Sequence, residues 1–277
     1  MRSSARVKPG SDATACTAPP RRVRPRVRTH PGRPGMMAAT ALAVAGGLLI
    51  SACSSPPAAP ARSAKATGAA SMAALPAGTT LLATLSKAAP RYPGPGATAA
   101  GRVPGSWYGA RSTLPVLATR PGWVRVRLAQ RPNGSTAWLP ASDVRLTATP
   151  YRIVINLATT HLTLYKDNRM VFAAPAGVGT RTFPTPTGVY FVAFLEAPPK
   201  SDPGYGAFIM VISAHSDAIS NWQGSGDAVI GIHGPLGSDK EIGTTGAHIS
   251  HGCIRLHEPD LLRLRDVPPG SPVDIIG

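Results

Sequence analysis

The sequence predicts a mainly β protein, a small β-barrel module followed by a β-sandwich domain with one short helix near the C-terminus. Three observations carry that prediction. Segments such as GWVRVRL, residues 122–128, alternate apolar and charged side chains with a period close to two. Glycine and proline, 29 and 30 of the 277 residues, punctuate the chain throughout. Only EPDLLRLRD, residues 258–266, has helical spacing, with Pro259 in its first turn and leucines at 261, 262 and 264.

The first 52 residues belong to neither folded part. Residues 1–35 hold nine Lys/Arg against Asp12 alone, and an uncharged run, MMAATALAVAGGLLISAC, follows from Met36 to Cys53. A basic flank, a short apolar core and a small-residue exit are the parts of a secretory signal, and the run is too short for a membrane-spanning helix of about 20 residues. Ile50-Ser51-Ala52-Cys53 resembles a bacterial lipobox, which implies that residues 1–52 are removed and that Cys53 is acylated and anchors the protein to the membrane, facing the cell wall. An ordinary signal cut nearby, with Cys53 incidental, is the alternative. The basic leader is long for such a signal, so translation from Val23 or Val27 is expected, and Cys16 would then be absent. The formal charge of +16 is therefore misleading: residues 53–277 carry twenty Lys/Arg and twelve Asp/Glu, +8. Acylation of Cys53 would leave Cys253 as the single thiol, exclude an internal disulfide, and suggest that Cys253 is present for its reactivity.

Residues 53–74 are Ala, Pro, Ser and Gly with scattered bases, the composition of a tether that buries no core. Residues 75–148 read as all-β. The strand at 122–128 leads to an Asn133-Gly134 turn and a second strand around Ala137-Trp138-Leu139. This pattern resembles the bacterial Src-homology-3-type small barrel that accompanies wall enzymes. Residues 53–150 hold eleven bases and one acid, whereas 151–277 hold nine bases and eleven acids. The basic front half favours anionic partners, and anionic wall polymer or lipid headgroups fit an exported protein better than nucleic acid does. A merely solvated basic face is the bland alternative.

The second domain, residues 151–277, is expected to carry strands at 153–156, 161–166 and 170–174, with an Asp167-Asn168 turn. Further strands are expected at 188–194, 208–212, 229–233 and 273–276. Its last third holds the candidate chemistry. AVIGIHGPLG sets His233 at the end of an apolar strand, and sixteen residues, Gly234 to Ile249, separate it from Ser250 in SHGCIRL, where His251, Gly252 and Cys253 follow. A thiol of ordinary pKa, about 8.5, is only a few per cent thiolate at neutral pH, and an imidazole brought near it by the fold can take its proton.

His233-Gly234, then Ser250-His251-Gly252-Cys253-Ile254-Arg255-Leu256, resembles the active-site signature of the L,D-transpeptidases, and PTPTGVYFV at 184–192 is similar to the segment that precedes it. The resemblance covers about residues 151–277 and implies an L,D-transpeptidase-type domain with Cys253 as nucleophile and His233 as its base. It also implies that the Gly234 carbonyl orients the ring and that backbone N–H groups around His251, Gly252 and Cys253 form an oxyanion hole. The implied reaction joins peptidoglycan stem peptides, donor and acceptor, with no metal or organic cofactor. Arg255 stands where relatives carry asparagine, and two roles stay open for it: binding a substrate carboxylate or pinning the loop internally. Ser250 and Tyr205, an aromatic between glycines, are further candidates for substrate contact. A zinc site from Cys253 with His233, His248 or His251 is disfavoured by the spacing, and His161, His215, His248 and His257 read as ordinary polar residues. A wall carboxypeptidase and a non-catalytic wall-binding lipoprotein are the competing functions.

Overall fold

The computed structural model describes residues 75–222, 224–244 and 247–277, which lie in one compact unit. The expected leader, the lipobox with Cys53, and the linker at 53–74 lie outside the described residues.

The fold is mainly β, as expected, with one α-helix among the described residues. The front part forms a five-stranded antiparallel sheet from β1 (Thr80–Leu85), β2 (Thr113–Arg120), β3 (Trp123–Arg127), β4 (Thr136–Pro140) and β5 (Val144–Thr149). Their order is β4-β3-β2-β1-β5. The alternation read from GWVRVRL is realised in β3, where Val124 and Val126 are buried and Arg125 points out. β1 and β2 escaped the sequence reading, because TLLATL and TLPVLATR are apolar runs without alternation. Both faces of β1 are covered, so no polar residue is needed on either.

The second part is a curled eight-stranded sheet built from β6 (Tyr151–Asn156), β7 (His161–Lys166), β8 (Arg169–Pro175), β9 (Gly188–Glu196), β10 (Ile209–His215), β11 (Val229–His233), β12 (Ile254–Arg255) and β13 (Pro272–Ile276). The order is β8-β7-β6-β13-β9-β10-β11-β12. Two pairs are parallel, β6 with β13 and β11 with β12. Asp167 and Asn168 both take positive φ, 52° and 60°, as a two-residue hairpin turn requires. The helix α1 is shorter than its leucine spacing suggests, spanning only Glu258–Leu262, because residues 263–266 continue as turns.

Register shifts in the β9–β10 and β10–β11 pairings mark bulges, which bend the sheet. The bend lets both faces of the central strands be buried. Every residue of β10 is buried. On one side, Tyr190, Val192, Met210, Ile212, Ile230, Ile232 and Ile254 share the main core. On the other side Phe191 sits in the core of the front sheet, and Trp107 and Ala110 pack on Phe194, Ile209 and Val211. Thr149 and Ser271 hydrogen-bond at 3.0 Å, and a side chain at Gly270 would strike Leu82 at 2.8 Å. The two sheets are packed as one body, and the edge formed by β11 and β12 carries the candidate chemistry.

Candidate active site

His233 and Cys253 are carried on adjoining strands, since β11 and β12 run parallel with Ile232 opposite Ile254 and His233 opposite Arg255. One step back along each strand, Gly231 faces Cys253, and its N–H donates to the Cys253 Sγ at 3.4 Å. His233 lies two residues beyond Gly231 and so shares its face. A Cβ on Gly231 would stand 3.9 Å from His233 Cδ2 and 3.0 Å from Ile209. Sulfur and imidazole thus converge on a glycine that leaves room for both. Gly231 was not singled out from the sequence, although an isolated glycine inside an apolar strand is a sign of close approach.

His233 is fully buried, and its Nδ1 donates to the Gly234 carbonyl at 2.8 Å. A carbonyl only accepts, so Nδ1 holds the proton and Nε2 keeps its lone pair. Nε2 is buried with no hydrogen-bond partner. Burial pushes the imidazole pKa down to about 3, against the upward pull of the Gly234 carbonyl and with help from the Arg255 charge. The ring is therefore neutral at neutral pH, a proton acceptor.

Tyr205 lies behind this ring, with ring centroids 4.8 Å apart in an edge-on contact. It is buried, and burial, then Asp202, pushes its phenol up to about 12. The glycines beside it serve packing. The Gly234 N–H donates to the Tyr205 carbonyl at 2.7 Å, and a Cβ on Gly234 would come within 2.8 Å of the Gly206 nitrogen.

The cysteine turn is held from inside. The Ser250 hydroxyl donates to the Cys253 carbonyl at 2.5 Å and accepts the Gly252 N–H at 3.1 Å, so Ser250 is an internal brace, buried away from solvent. The Gly252 N–H is thereby used within the turn. Gly252 contributes its conformation instead, with φ at 117°, a region open to glycine. Thr185, from PTPTG, bridges the same turn to the neighbouring strand: its hydroxyl donates to the Gly252 carbonyl at 2.8 Å and accepts the Gly179 N–H at 2.9 Å. Sequence reading quoted that segment without picking out this threonine.

Arg255 is buried, and its Nη1 donates to the Ser238 hydroxyl at 2.7 Å. The His251 ring lies between Phe183, 4.7 Å away, and Trp222, 5.7 Å away. Trp222 also packs directly against Cys253. Nothing in the sequence marks Trp222 or Phe183 as part of the site. Among the other histidines, Nδ1 of His161 bonds the Thr159 carbonyl, that of His248 the Gly179 carbonyl and that of His257 the Asp239 carboxylate. His215 is no ordinary polar residue: it is buried and pairs with Asp227 at 2.8 Å. No group of three or more His, Cys, Asp or Glu among the described residues has a metal-binding arrangement.

Cys253 is disulfide-bonded. The chain's other cysteines, Cys16 and Cys53, lie outside the described residues. A nucleophilic Cys253 is the reduced form.

Residues 150–275 match the YkuD family, the L,D-transpeptidase catalytic domain. YkuD of Bacillus subtilis, an L,D-transpeptidase by name, is 29% identical over 122 residues, 44% of this chain and 63% of that protein. Its Bacillus licheniformis namesake is 31% identical over 127 residues, 46% of this chain and 66% of that protein. This chain therefore spans less than two thirds of either relative. Among solved structures, a cysteine-to-serine mutant of the Enterococcus faecium L,D-transpeptidase is 27% identical, covering 46% of this chain and 50% of that one at a TM-score of 0.34. L,D-transpeptidase 3 from Mycobacterium tuberculosis, in complex with a faropenem-derived adduct, is 17% identical, covering 53% and 76% at a TM-score of 0.37.

Proposed function

From the L,D-transpeptidase catalytic domain at residues 150–275, we propose that this protein is a peptidoglycan L,D-transpeptidase using Cys253 as nucleophile and His233 as base. The observation that carries the reading is the His233 ring itself. Its Nδ1–H is fixed on the Gly234 carbonyl and its Nε2 is buried without a partner, on the strand that meets Cys253 at Gly231. A buried polar atom without a partner is costly, and one aimed for proton transfer is a reason to bear that cost.

The reaction then runs in two balanced halves. Reduced Cys253 gives its proton to Nε2 of His233, and the thiolate attacks the carbonyl carbon of the third residue of a tetrapeptide stem. The negative oxygen that forms lies against the backbone N–H groups of His251 and Cys253; the Gly252 N–H, bound to Ser250, is not available for this. The C–N bond to the terminal D-alanine breaks, and the leaving amine takes the proton back from His233. A thioester on Cys253 remains. The side-chain amine of a second stem attacks it, gives a proton to His233, and expels the thiolate with a new amide in place. Water as acceptor would give a carboxypeptidase instead.

The low pKa of His233 suits this role because the ring starts neutral, and the thiolate formed beside it supplies the charge that stabilises the imidazolium. The same reading sets the protein outside the cytoplasm as a lipoprotein acylated on Cys53. Residues 75–148 would meet anionic wall polymer or lipid headgroups through their basic surface. Incubating the reduced full chain with a disaccharide tetrapeptide and measuring masses tests the central activity. A gain on Cys253 with release of D-alanine, followed by cross-linked dimer, is the expected result. No adduct on Cys253 would reject the reading, and adduct with tripeptide alone as product would assign the carboxypeptidase.

A further inference from the structure

Loop 216–228 joins β10 to β11 and carries Trp222 onto Cys253, and it is gripped from outside by one turn of the front sheet. The Arg131 guanidinium donates from Nε to Asp227 Oδ1 at 2.8 Å, and from Nη2 to the carbonyls of Ser216 at 2.9 Å and Ile219 at 3.0 Å. The Asn133 side chain pairs with the backbone of His215 as a strand residue would. Its Nδ2 donates to the His215 carbonyl at 2.8 Å, and its Oδ1 accepts the His215 N–H at 2.9 Å. Nδ2 also reaches Asp217 Oδ1 at 3.2 Å.

Asp227 is the link from this grip to the tryptophan. Its carboxylate receives Arg131 on one oxygen and the His215 Nδ1 on the other, while its backbone carbonyl accepts the Trp222 N–H at 2.9 Å. Burial would raise this carboxyl, but the Arg131 hydrogen bond and the His215 ring hold it below its ordinary value. Trp222 in turn packs on Cys253 and beside the His251 ring, and its indole N–H is buried without a hydrogen-bond partner. The path from the front sheet to the thiol is thus continuous: Arg131, Asp227, Trp222, Cys253.

We propose that Arg131 and Asn133 are positioning residues of the active site, by which the front sheet holds loop 216–228 so that Trp222 lies on Cys253. The inference rests on the transpeptidase reading for what the site does, though the grip itself does not. It gives the front sheet a part in the reaction beyond any adhesion. It also explains where some of the sheet's basic charge goes, since Arg131 meets an acid of the second part that is otherwise only slightly acidic overall.

The test uses the reduced full chain and two reagents on Cys253, each followed by peptide-level mass analysis. Iodoacetamide is small and reports how well Trp222 covers the sulfur; a disaccharide tetrapeptide reports productive acylation. Arg131→Ala should speed alkylation of Cys253 at least about fivefold and slow acylation by the tetrapeptide at least about tenfold. Asn133→Ala should do the same to a smaller degree, and Arg131→Lys should recover part of both, since lysine keeps the charge but not the fork of donors. Arg125→Ala removes an equal charge from the same sheet, where the exposed Arg125 guanidinium hydrogen-bonds the Thr136 hydroxyl, and should leave both rates unchanged. Wild-type rates in Arg131→Ala and Asn133→Ala would overturn the proposal. So would a fall of both rates in step with lost folded protein, or equal effects from Arg125→Ala. If the wild type takes no tetrapeptide, the transpeptidase reading fails, while the alkylation ratio still decides the grip.

Discussion

His215 and His233 end neighbouring strands, β10 and β11, and at first sight are twins. Each is buried, each makes a 2.8 Å bond through Nδ1, and each has Nε2 buried with no hydrogen-bond partner. Their partners differ. His215 faces the carboxylate of Asp227, itself tied to Arg131, whereas His233 faces the carbonyl of the next residue. Burial lowers both pKa values; Asp227 pulls His215 back up, and only a carbonyl does so for His233, which falls to about 3. The histidine–carboxylate pair has the more familiar look of a catalytic pair, yet it serves to hold a loop, with Trp107 at 5.9 Å as its ring neighbour. The histidine–carbonyl pair is the one on the strand whose Gly231 N–H meets the Cys253 sulfur. A candidate base is identified by what its open nitrogen faces, and the partner on the other nitrogen only fixes the tautomer.

The largest effect expected is on the thiol side of that comparison. Cys253→Ala should remove every covalent adduct with a tetrapeptide donor, read as intact mass, while folding is kept because alanine fills most of the same small space. An adduct that persists in this variant would move the nucleophile elsewhere. Gly234→Ser comes next. Its Cβ would press on the Tyr205–Gly206 backbone, and overpacking of this kind typically costs about 1–3 kcal/mol, so thermal unfolding should come several degrees earlier and acylation should slow. An unchanged melting temperature would show that the Tyr205–Gly206 turn yields easily. His251→Ala should cost less than about tenfold in acylation rate, because alanine keeps the backbone N–H and loses only the ring between Phe183 and Trp222. A loss as complete as that of Cys253→Ala would give the ring itself the proton-transfer role.

The smallest effect concerns pH and belongs to both histidines. Each has a folded pKa below its unfolded value of about 6.5, so between that value and its folded one the unfolded chain binds more protons. Stability therefore falls as pH drops below about 6.5, and for His233 the loss continues towards about 3. Urea midpoints at pH 7.5, 6 and 5 should decline in that order, and less steeply in His233→Ala. A midpoint that rises on acidification would reverse the assigned direction.

Much of this was legible in the sequence, for local reasons. β7 and β11 fall where alternation and punctuation place them, and the family resemblance on His233-Gly234 and Ser250–Arg255 brought the right strands to attention. What was hidden depends on tertiary contact. Strands β1 and β2 lack alternation because both faces are covered. The Ser250 hydroxyl is bonded inside its own turn and the Tyr205 ring is buried against His233, placements that nothing in a sequence marks. Arg131 and Asn133 read as a hairpin flank and its turn residue, and their contacts with residues 215–227 are 82 to 96 positions away. No periodicity reports a bond of that span.

The account turns on which buried histidine serves Cys253, and one paired measurement decides it: the rate of Cys253 acylation by a tetrapeptide donor in His233→Ala and in His215→Ala, both as reduced full chain. General-base assistance is typically worth about 10²–10⁴-fold, roughly 3–5 kcal/mol of barrier. His233→Ala should lose that much and keep a slow residual reaction from the few per cent of thiolate present without a base. His215→Ala should lose no more than about tenfold, through a loosened loop. The reverse order, with His215→Ala the slower of the two, would contradict the assignment of His233.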